Sequence, residues 1–203
     1  MGGAFPSMEG YLARLPNGLA SYPHVTAKGS VLRAILSDAN GALGQGMGLP
    51  PRIEELIAAP PAPNGWLLEV ELWALTLCIY DVRFADKGGV AAYEEWVYRR
   101  NRALLSGPLY KVLFTVLGPE RLVAGAAQRY ATFHRGTVMS KLEAGDRALA
   151  FKLTTPPHVL PALVQGGLAA AFRAALDMAG AHDVRVTARA ESPDVVAFEA
   201  SWS

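Results

Sequence analysis

Apolar and polar residues follow two different periods along this chain, and the period changes near residue 136. Before that point, Val90, Tyr93 and Val97 recur at the spacing of three to four residues that is typical of a helix with one buried face. After it, the segment 137–142 changes to the shorter period of a strand. The pattern predicts helices in the first two thirds of the chain and strands in much of the remainder.

The N-terminal region predicts little regular structure because prolines and glycines interrupt it repeatedly. The expected elements are an irregular arm (1–27) with a short extended piece (21–26), a helix (30–40) capped by Gly41, a second short helix (52–58) and a proline-rich connector (59–64). The loop at 41–51 carries several glycines, as phosphate-binding loops do. Such loops follow a strand and open into a helix, whereas this one follows a predicted helix and ends in two prolines, so we predict a flexible loop.

The most apolar stretch of the chain, residues 66–84, is ambiguous between helix and strand. Val70 and Leu72 alternate with glutamates as in a strand, but the stretch is longer than a normal strand, and we predict a buried helix over its whole length. A turn at 86–89 then leads into the helix that carries Tyr93, where Glu95 and Arg99 have the spacing of an exposed pair. Gly-Pro pairs at 107–108 and 118–119 predict two more helices, the second ending near His134.

The C-terminal segments predict two hairpins separated by one helix. The expected elements are a first hairpin (137–142 and 148–153, turning at 143–146), a break at Thr155–Pro157, a helix (160–179) capped by Gly180, and a second hairpin (183–190 and 195–202, turning at 192–194). This order predicts an α+β fold, in which an N-terminal helical layer packs on a C-terminal antiparallel four-stranded sheet of order β-β-α-β-β along the chain. The helix at 160–179 is rich in glycine and alanine, so we expect it to lie flat on the sheet, with a dimer face as the alternative.

These segments predict a single domain over residues 1–203. Its parts are an irregular or helical arm (1–65), a helical layer (66–135) and the β-β-α-β-β half (136–203).

The composition predicts a packed core and more apolar surface than that core needs. The hydrophobic fraction is 51% and the charged fraction 18%, a surplus that usually ends in an internal pocket or a subunit interface. The net charge of +1 produces no overall electrostatic attraction for nucleic acid, so we do not expect nucleic-acid binding. The N-terminus does not have the pattern of a signal peptide, and charged residues interrupt both long apolar stretches, so we expect a cytoplasmic protein without a membrane span.

Few residues suggest chemistry. Cys78 is the only cysteine, which excludes an internal disulfide, and its apolar surroundings predict an inert thiol. No nucleophile or metal motif occurs. His134 is expected at a helix C-terminus, where a cationic side chain gains about 0.3 to 1 kcal/mol, with Gly136 giving the backbone freedom to enter the first strand. The basic run 99–102 predicts a solvated surface, or else a site for an anionic ligand or acidic partner.

From about Trp66 onward the chain resembles the superfamily of four-vinyl-reductase domains, haem nitric-oxide-binding domains and Bet3-like subunits of vesicle-tethering complexes. The detail is most similar to uncharacterised bacterial relatives of that group. The resemblance rests on Tyr93, Glu94, Trp96, Arg100–Arg102, Phe133–Thr137, Pro156, Pro157, Gly166, Gly167, Ala179, Gly180 and Trp202. It implies the α+β architecture above and a role in small-molecule binding or protein association.

Two features of that superfamily are missing from the sequence. Vinyl-reductase-type members often carry cysteines before the glycine-rich helix and in the final hairpin, and this chain has none there. Haem-binding members carry a tyrosine, serine, arginine triplet at alternate positions, which this chain also lacks. No metal or haem is therefore expected, and no cofactor can be named.

We expect a non-catalytic module that binds or senses a small, largely apolar ligand between the helical layer and the sheet. The pocket candidates are His134, Arg135, Trp73, Tyr93 and Arg100. The alternatives are a homodimeric interaction or scaffold protein, with the small-residue helix or the 93–105 helix as its interface, and an enzyme with an unrecognised site.

Overall fold

The computed structural model describes residues 4–44, 46–106, 125–145 and 147–203, together with Pro119 and Leu122. In chain order its elements are α1 (Pro6–Leu12), β1 (Thr26–Lys28), α2 (Gly29–Ala39), α3 (Pro51–Ala58), β2 (Trp66–Leu68), α4 (Glu69–Arg83), α5 (Gly89–Leu105), α6 (Ala126–Phe133), β3 (His134–Arg135), β4 (Val138–Gly145), β5 (Ala148–Thr154), α7 (Ala162–Met178), β6 (Arg185–Ser192) and β7 (Val195–Ser201). Helices dominate the first part and strands the second, which confirms the predicted α+β class.

The larger sheet has four antiparallel strands in the order β4-β5-β7-β6. Each predicted hairpin forms, and the two hairpins join through β5 and β7, where Phe151 pairs with Phe198. The first turn is shorter than expected, because β4 runs on to Gly145 through an irregularity between Lys141 and Glu143. Most of the predicted turn at 143–146 therefore belongs to the strand.

Helix α7 lies flat on this sheet, as its small residues predict. Phe172 of α7 meets Phe151 and Phe198 edge to face, with ring centroids 4.9 and 5.3 Å apart. The opposite face of α7 carries Gly166 and Gly167 and packs against α5. The molecule therefore stacks α5, α7 and the sheet in that order.

A second, smaller sheet was not expected from the sequence. It has three short antiparallel strands in the order β2-β1-β3, so that Thr26 pairs with Leu68 on one side and Arg135 on the other. The prediction of one helix over 66–84 is therefore wrong for its first three residues, which form β2. Helix α4 begins at Glu69, where the Leu68 amide donates to the Glu71 carboxylate at 3.2 Å. Acidic residues in a first turn favour this start.

The N-terminal arm is more ordered than its prolines predict. Pro6 starts helix α1 instead of preventing one, since proline suits the first turn of a helix. The helix buries Met8 and Tyr11, and the Tyr11 hydroxyl donates to the Val159 carbonyl at 3.0 Å. The arm is therefore part of the core, because apolar residues among the prolines pack against α4.

The remaining helix boundaries are close to the predicted ones. Helix α2 ends one residue early, with Asn40 in the left-handed conformation at φ 48°. Helix α6 ends at Phe133, and Gly136 has φ 77°, as predicted for the entry into β4. The helix starts predicted at 107–108 and at Gly118 lie outside the described residues. Within the described ranges, each helix is too short or too polar to cross a bilayer.

Candidate ligand cavity

A cavity of about 380 Å³ lies between the helices and the four-stranded sheet. Its volume is near the lower end of the roughly 300 to 1,000 Å³ of ordinary ligand sites. Helices α2, α4, α5 and α6 contribute one side of its wall, and α7 with strands β4, β5 and β7 contributes the other. The apolar lining residues include Val31, Ala34, Ile35, Val97, Leu104, Leu105, Ala126, Phe133, Met139, Leu149, Phe151, Val164, Leu168, Ala171, Phe172, Ala175, Leu176 and Ala200.

Helix α5 supplies the most varied part of the wall. Tyr93, Val97, Arg100, Asn101 and Leu104 recur with the i, i+4, i+7, i+8, i+11 spacing of one helical face. That face lines the cavity, and the close packing of α5 against α7 fixes the rotation of the helix. A Cβ atom on Gly167 would lie 2.8 Å from the Tyr93 hydroxyl, which shows how tightly the two helices meet.

Arg100 places a positive charge on this mainly apolar wall. Its Nη1 is fully buried and has no hydrogen-bond partner in the described part of the chain. The face of the Trp96 ring lies 4.7 Å from the guanidinium carbon and gives a cation–π contact only. Burial lowers the pKa of Arg100, against the opposing effects of Tyr93 and Asp38. An arginine nevertheless stays protonated in proteins, so the cavity carries a charge that lacks a counter-ion among these residues.

The neighbouring arginines behave as the sequence predicts for a solvated cluster. Arg99 is exposed and pairs with Glu95 at 3.6 Å. Arg102 donates to the Tyr98 hydroxyl at 3.1 Å at the surface. The expectation of a solvated run is therefore wrong for Arg100 and Asn101, which lie on the cavity-lining face of the same helix.

His134 lies directly after α6, but its ring is part of the core. The ring stacks on Tyr130, with centroids 4.4 Å apart, and lies parallel to Trp73 at 6.3 Å. Its Nδ1 is 3.3 Å from Glu69 Oε1, an ion-pair distance at an angle that does not form a good hydrogen bond. The prediction that helix-end capping explains His134 is incomplete, because aromatic packing and the Glu69 carboxylate hold the ring.

Glu69 is completely buried and is the residue that the sequence analysis missed in this region. The Trp73 indole donates to its Oε1 and the Thr137 hydroxyl to its Oε2, each at 3.2 Å. These two donors stabilise a carboxylate that would otherwise be costly to bury. A glutamate in an apolar run that is followed by a tryptophan four residues later is the only sequence signal for this arrangement.

The structure brings four of the five predicted candidates to the cavity wall, namely Trp73, Tyr93, Arg100 and His134. Arg135 is exposed, and its guanidinium instead lies 3.7 Å from the Trp66 ring centroid. Tyr130 joins the wall although the sequence did not single it out. Its position four residues before His134, in the helix that the sequence predicts to end near His134, could have indicated this.

The two phenols of the wall remain neutral. Burial raises the pKa of Tyr93 above its ordinary value, and the nearby Arg100 opposes that shift. Burial also raises the pKa of Tyr130, with a further contribution from Glu69. Both hydroxyls are therefore potential hydrogen-bond donors to a ligand rather than charged groups.

Cys78 is buried in α4, and burial, assisted by Asp81, raises the pKa of its thiol to about 12. A buried and protonated thiol agrees with the predicted packing role, because reaction requires the thiolate. Among the described residues, no cluster of three or more His, Cys, Asp or Glu side chains could hold a metal ion.

Comparison with solved structures identifies the architecture. The chain is similar to the Fe(II) unliganded H-NOX protein from K. algicida, with a TM-score of 0.56, 11% identity, and coverage of 87% of this chain and 96% of the other. A point mutant of that protein gives a TM-score of 0.57 at 10% identity with the same coverage. The chain has an H-NOX-like fold. A Cs H-NOX mutant carrying 4-cyano-L-phenylalanine is also similar, with a TM-score of 0.54, 7% identity and the same coverage.

This H-NOX-like fold agrees with the haem nitric-oxide-binding type within the resemblance described above. At such low identity the likeness shows the fold alone. The sequence profile of a family described as a protein of unknown function (DUF2378) matches residues 103–203. No curated protein matches the chain.

The fold raises the question of haem, whose iron typically takes an axial histidine, or a deprotonated cysteine or tyrosine, from the cavity wall. On the described wall the one histidine is His134, which is only 8% exposed and stacks its ring on Tyr130. Burial keeps the phenols of Tyr93 and Tyr130 protonated. These residues do not fit a haem, and no step proposed below uses one.

Proposed function

We propose that the protein is a non-catalytic module that binds or senses a small, largely apolar molecule. The observation that carries this proposal is the cavity of about 380 Å³ between α5, α7 and the sheet, whose wall is mainly aliphatic and aromatic. An apolar space of this size is the usual form of a small-molecule site. The H-NOX-like fold supports the same class of function, and it does so by analogy of fold only.

Native mass spectrometry tests this proposal, because a bound ligand adds mass that is lost on denaturation. Ala126 lines the cavity, and Ala126→Leu would place a larger side chain inside it. Ala127, the next residue of α6, is exposed, so Ala127→Leu is a matched control on the same helix. We expect a ligand mass on the wild-type protein and on the control, and its loss or reduction in Ala126→Leu.

A neutral fluorescent probe, N-phenylnaphthylamine, gives a second measurement for protein that has lost its ligand during purification. We expect the wild-type protein to bind the probe and Ala126→Leu to bind it at least several-fold more weakly, with circular dichroism showing that the variant is folded. If the wild-type protein carries no ligand and also fails to bind the probe, the proposed function is wrong.

A homodimeric interaction protein is the second candidate, and an exposed sheet edge favours it. Strand β4 is an outer strand of the larger sheet, and Val138 and Leu142 on it are 59% and 49% exposed. An unpaired edge with apolar side chains is a common place for two chains to associate. The two helices predicted as the dimer face, α5 and α7, pack against each other within the chain.

The third hypothesis, an enzyme, would need a reactive group facing the cavity. His134 and Glu69 lie together, but Glu69 is not among the described residues that line the cavity. Its carboxylate oxygens accept from Trp73 and Thr137 in the core. This arrangement supports a structural role for the pair.

A further inference from the structure

We propose that the natural ligand of the cavity is an organic monocarboxylate, whose carboxylate pairs with Arg100 while its apolar body lies against the aliphatic and aromatic wall. This inference rests on the proposed function of the same cavity. It adds the charge and the chemical class of the ligand, neither of which the apolar lining alone implies.

The buried charge of Arg100 is energetically unfavourable. A buried charge is costly unless a counter-ion or hydrogen bonds compensate it. No carboxylate of the described chain lies within ion-pair distance of its guanidinium, and its side chain donates no hydrogen bond to those residues. Helix α5 nevertheless holds the guanidinium on the cavity wall beside Trp96. A negatively charged ligand group would supply the missing partner.

Two other polar side chains of the wall already have hydrogen-bond partners, in contrast to Arg100. Asn101 Nδ2 donates to the Val97 carbonyl at 2.9 Å, and the Thr76 hydroxyl donates to the Leu72 carbonyl at 2.8 Å. These bonds are local to α5 and α4. Such groups need nothing from a ligand, whereas the guanidinium of Arg100 does.

The charges of the wall also indicate the charge of the ligand. The second arginine of the wall, Arg129, donates through Nη1 to the Leu122 carbonyl at 2.8 Å. Arg100 is thus the one cation of the described wall without a hydrogen bond, which matches one negative charge. A carboxylate carries one charge at neutral pH, while a phosphate monoester carries about 1.5 to 2. The single guanidinium without a hydrogen bond therefore favours the singly charged group, although Arg129 keeps its own charge on the same wall.

The same wall also carries a neutral donor. Tyr130 Oη is buried and forms no hydrogen bond of good geometry with a described residue, although Thr137 lies near it. Burial, together with the nearby Glu69, raises the pKa of this phenol, so it remains a donor. A carboxylate has two oxygens and about four acceptor positions. A ligand acid can therefore accept from a phenol as well as from the guanidinium, which a hydrocarbon cannot.

Isothermal titration calorimetry with three probes that share one chain tests the inference. The probes are decanoate, decanol and decyl phosphate, titrated into protein freed of ligand on a hydrophobic resin. We expect decanoate to bind about tenfold or more tightly than decanol, since hydrogen bonds to charged groups are among the stronger ones. We also expect decanoate to bind more tightly than decyl phosphate.

The matched variants are Arg100→Met, Arg100→Lys and Arg99→Met. Arg99 is next to Arg100 on α5 but exposed, so Arg99→Met removes the same charge outside the cavity. We expect Arg100→Met to bind decanoate no more tightly than decanol, with decanol affinity changed less than about threefold, a modest free-energy change. Arg99→Met should keep the wild-type preference. Arg100→Lys should keep part of it, because it retains the charge without the planar fork.

The outcomes separate this inference from the proposed function. Equal binding of decanoate and decanol by the wild-type protein would overturn the carboxylate assignment and leave the apolar cavity in place. Tighter binding of decyl phosphate would overturn it in favour of a phosphate. If Arg99→Met lost the preference for decanoate over decanol as fully as Arg100→Met, the preference would be an effect of surface charge. That result would also overturn the carboxylate assignment. If no chain-bearing probe and no neutral fluorophore binds, the proposed function itself fails.

Discussion

At the scale of single residues, the core of this protein contains a carboxylate that apolar side chains nearly surround. Glu69 is the first residue of α4 and directly follows β2. Its backbone amide donates to the Val25 carbonyl at 3.0 Å. Its side chain accepts from Trp73 and Thr137 and lies beside His134. The carboxylate therefore ties α4 to the segment that joins α6 to β4.

We predict that His134→Ala lowers the free energy of unfolding by about 1 to 3 kcal/mol, because truncation removes aromatic stacking and leaves a cavity beside a buried carboxylate. This is more than the effect of a helix dipole alone, about 0.3 to 1 kcal/mol. Urea denaturation measures the difference. His24→Ala is the control, since His24 is exposed and surface changes usually stay within about 0.5 kcal/mol. Equal small effects of both variants would contradict the role assigned to the His134 ring.

The sequence predicted which residues line the cavity better than it predicted which way each side chain points. The set Trp73, Tyr93, Arg100 and His134 includes four residues of the cavity wall, yet Arg100 was expected to be solvated with Arg99 and Arg102. A helical period indicates that adjacent residues point different ways, but it does not indicate which of them faces inward. That depends on the rotation of α5, which the contact with α7 determines.

At the scale of elements, α5 and α7 are joined through two glycines. A Cβ on Gly166 would overlap the Glu94 carboxylate, and one on Gly167 would come within 2.8 Å of the Tyr93 hydroxyl. Both glycines lie in the interior of a helix, where glycine ordinarily costs about 0.5 to 1 kcal/mol relative to alanine. The close approach of the two helices explains why alanine would not be the better choice there.

We predict that Gly167→Ala destabilises the protein although it raises helix propensity, since the helices must move apart or Tyr93 must shift. The expected loss is about 1 to 3 kcal/mol, the usual range for overpacking. Gly10→Ala in α1 is the control, because a Cβ there meets nothing within 4 Å and should leave stability unchanged or slightly increased. Thermal unfolding distinguishes the two. A stabilising effect of both substitutions would mean that the α5–α7 contact is looser than described.

Elements that follow from the spacing of their own apolar residues were predictable. Elements that form only by pairing with a segment far away in the sequence were not. Helix α5 follows from its own apolar spacing. Strand β2 does not, because Trp66–Leu68 continues directly into α4 and is a strand only through pairing with β1, about forty residues earlier in the chain. No local pattern indicates such a partner, so a single long helix was the expected result.

At the scale of the whole molecule, association is the open alternative to ligand binding. We predict that light scattering at high micromolar concentration gives the mass of a monomer, because α5 and α7 are used within the chain and Lys141 lies on the β4 edge, where a charge opposes pairing. A dimer mass that Val138→Lys reduces to a monomer, with Arg189→Lys on the opposite edge strand as the control, would contradict this and support the interaction protein instead.

From the composition, a cavity was only one of two expectations. The high apolar fraction predicted either an internal pocket or a subunit interface. Its location was expected from the resemblance, between helices and sheet, and its volume of about 380 Å³ was not predictable. A cavity depends on how far apart packed layers come to rest, and this distance follows from contacts such as Phe172 with Phe151 and Phe198. Sequence patterns indicate which faces meet but not the space left between them.

The boundary of the family match has a consequence for how this protein can be divided. Residues 103–203 begin in the last turn of α5, so a fragment with that boundary would carry α7 without Tyr93 and β3 without β1. The glycine face of α7 would then be open to water, and about a third of the residues that line the cavity would be missing. We therefore expect the matched segment, produced alone, to expose apolar surface that earlier residues cover in the whole chain.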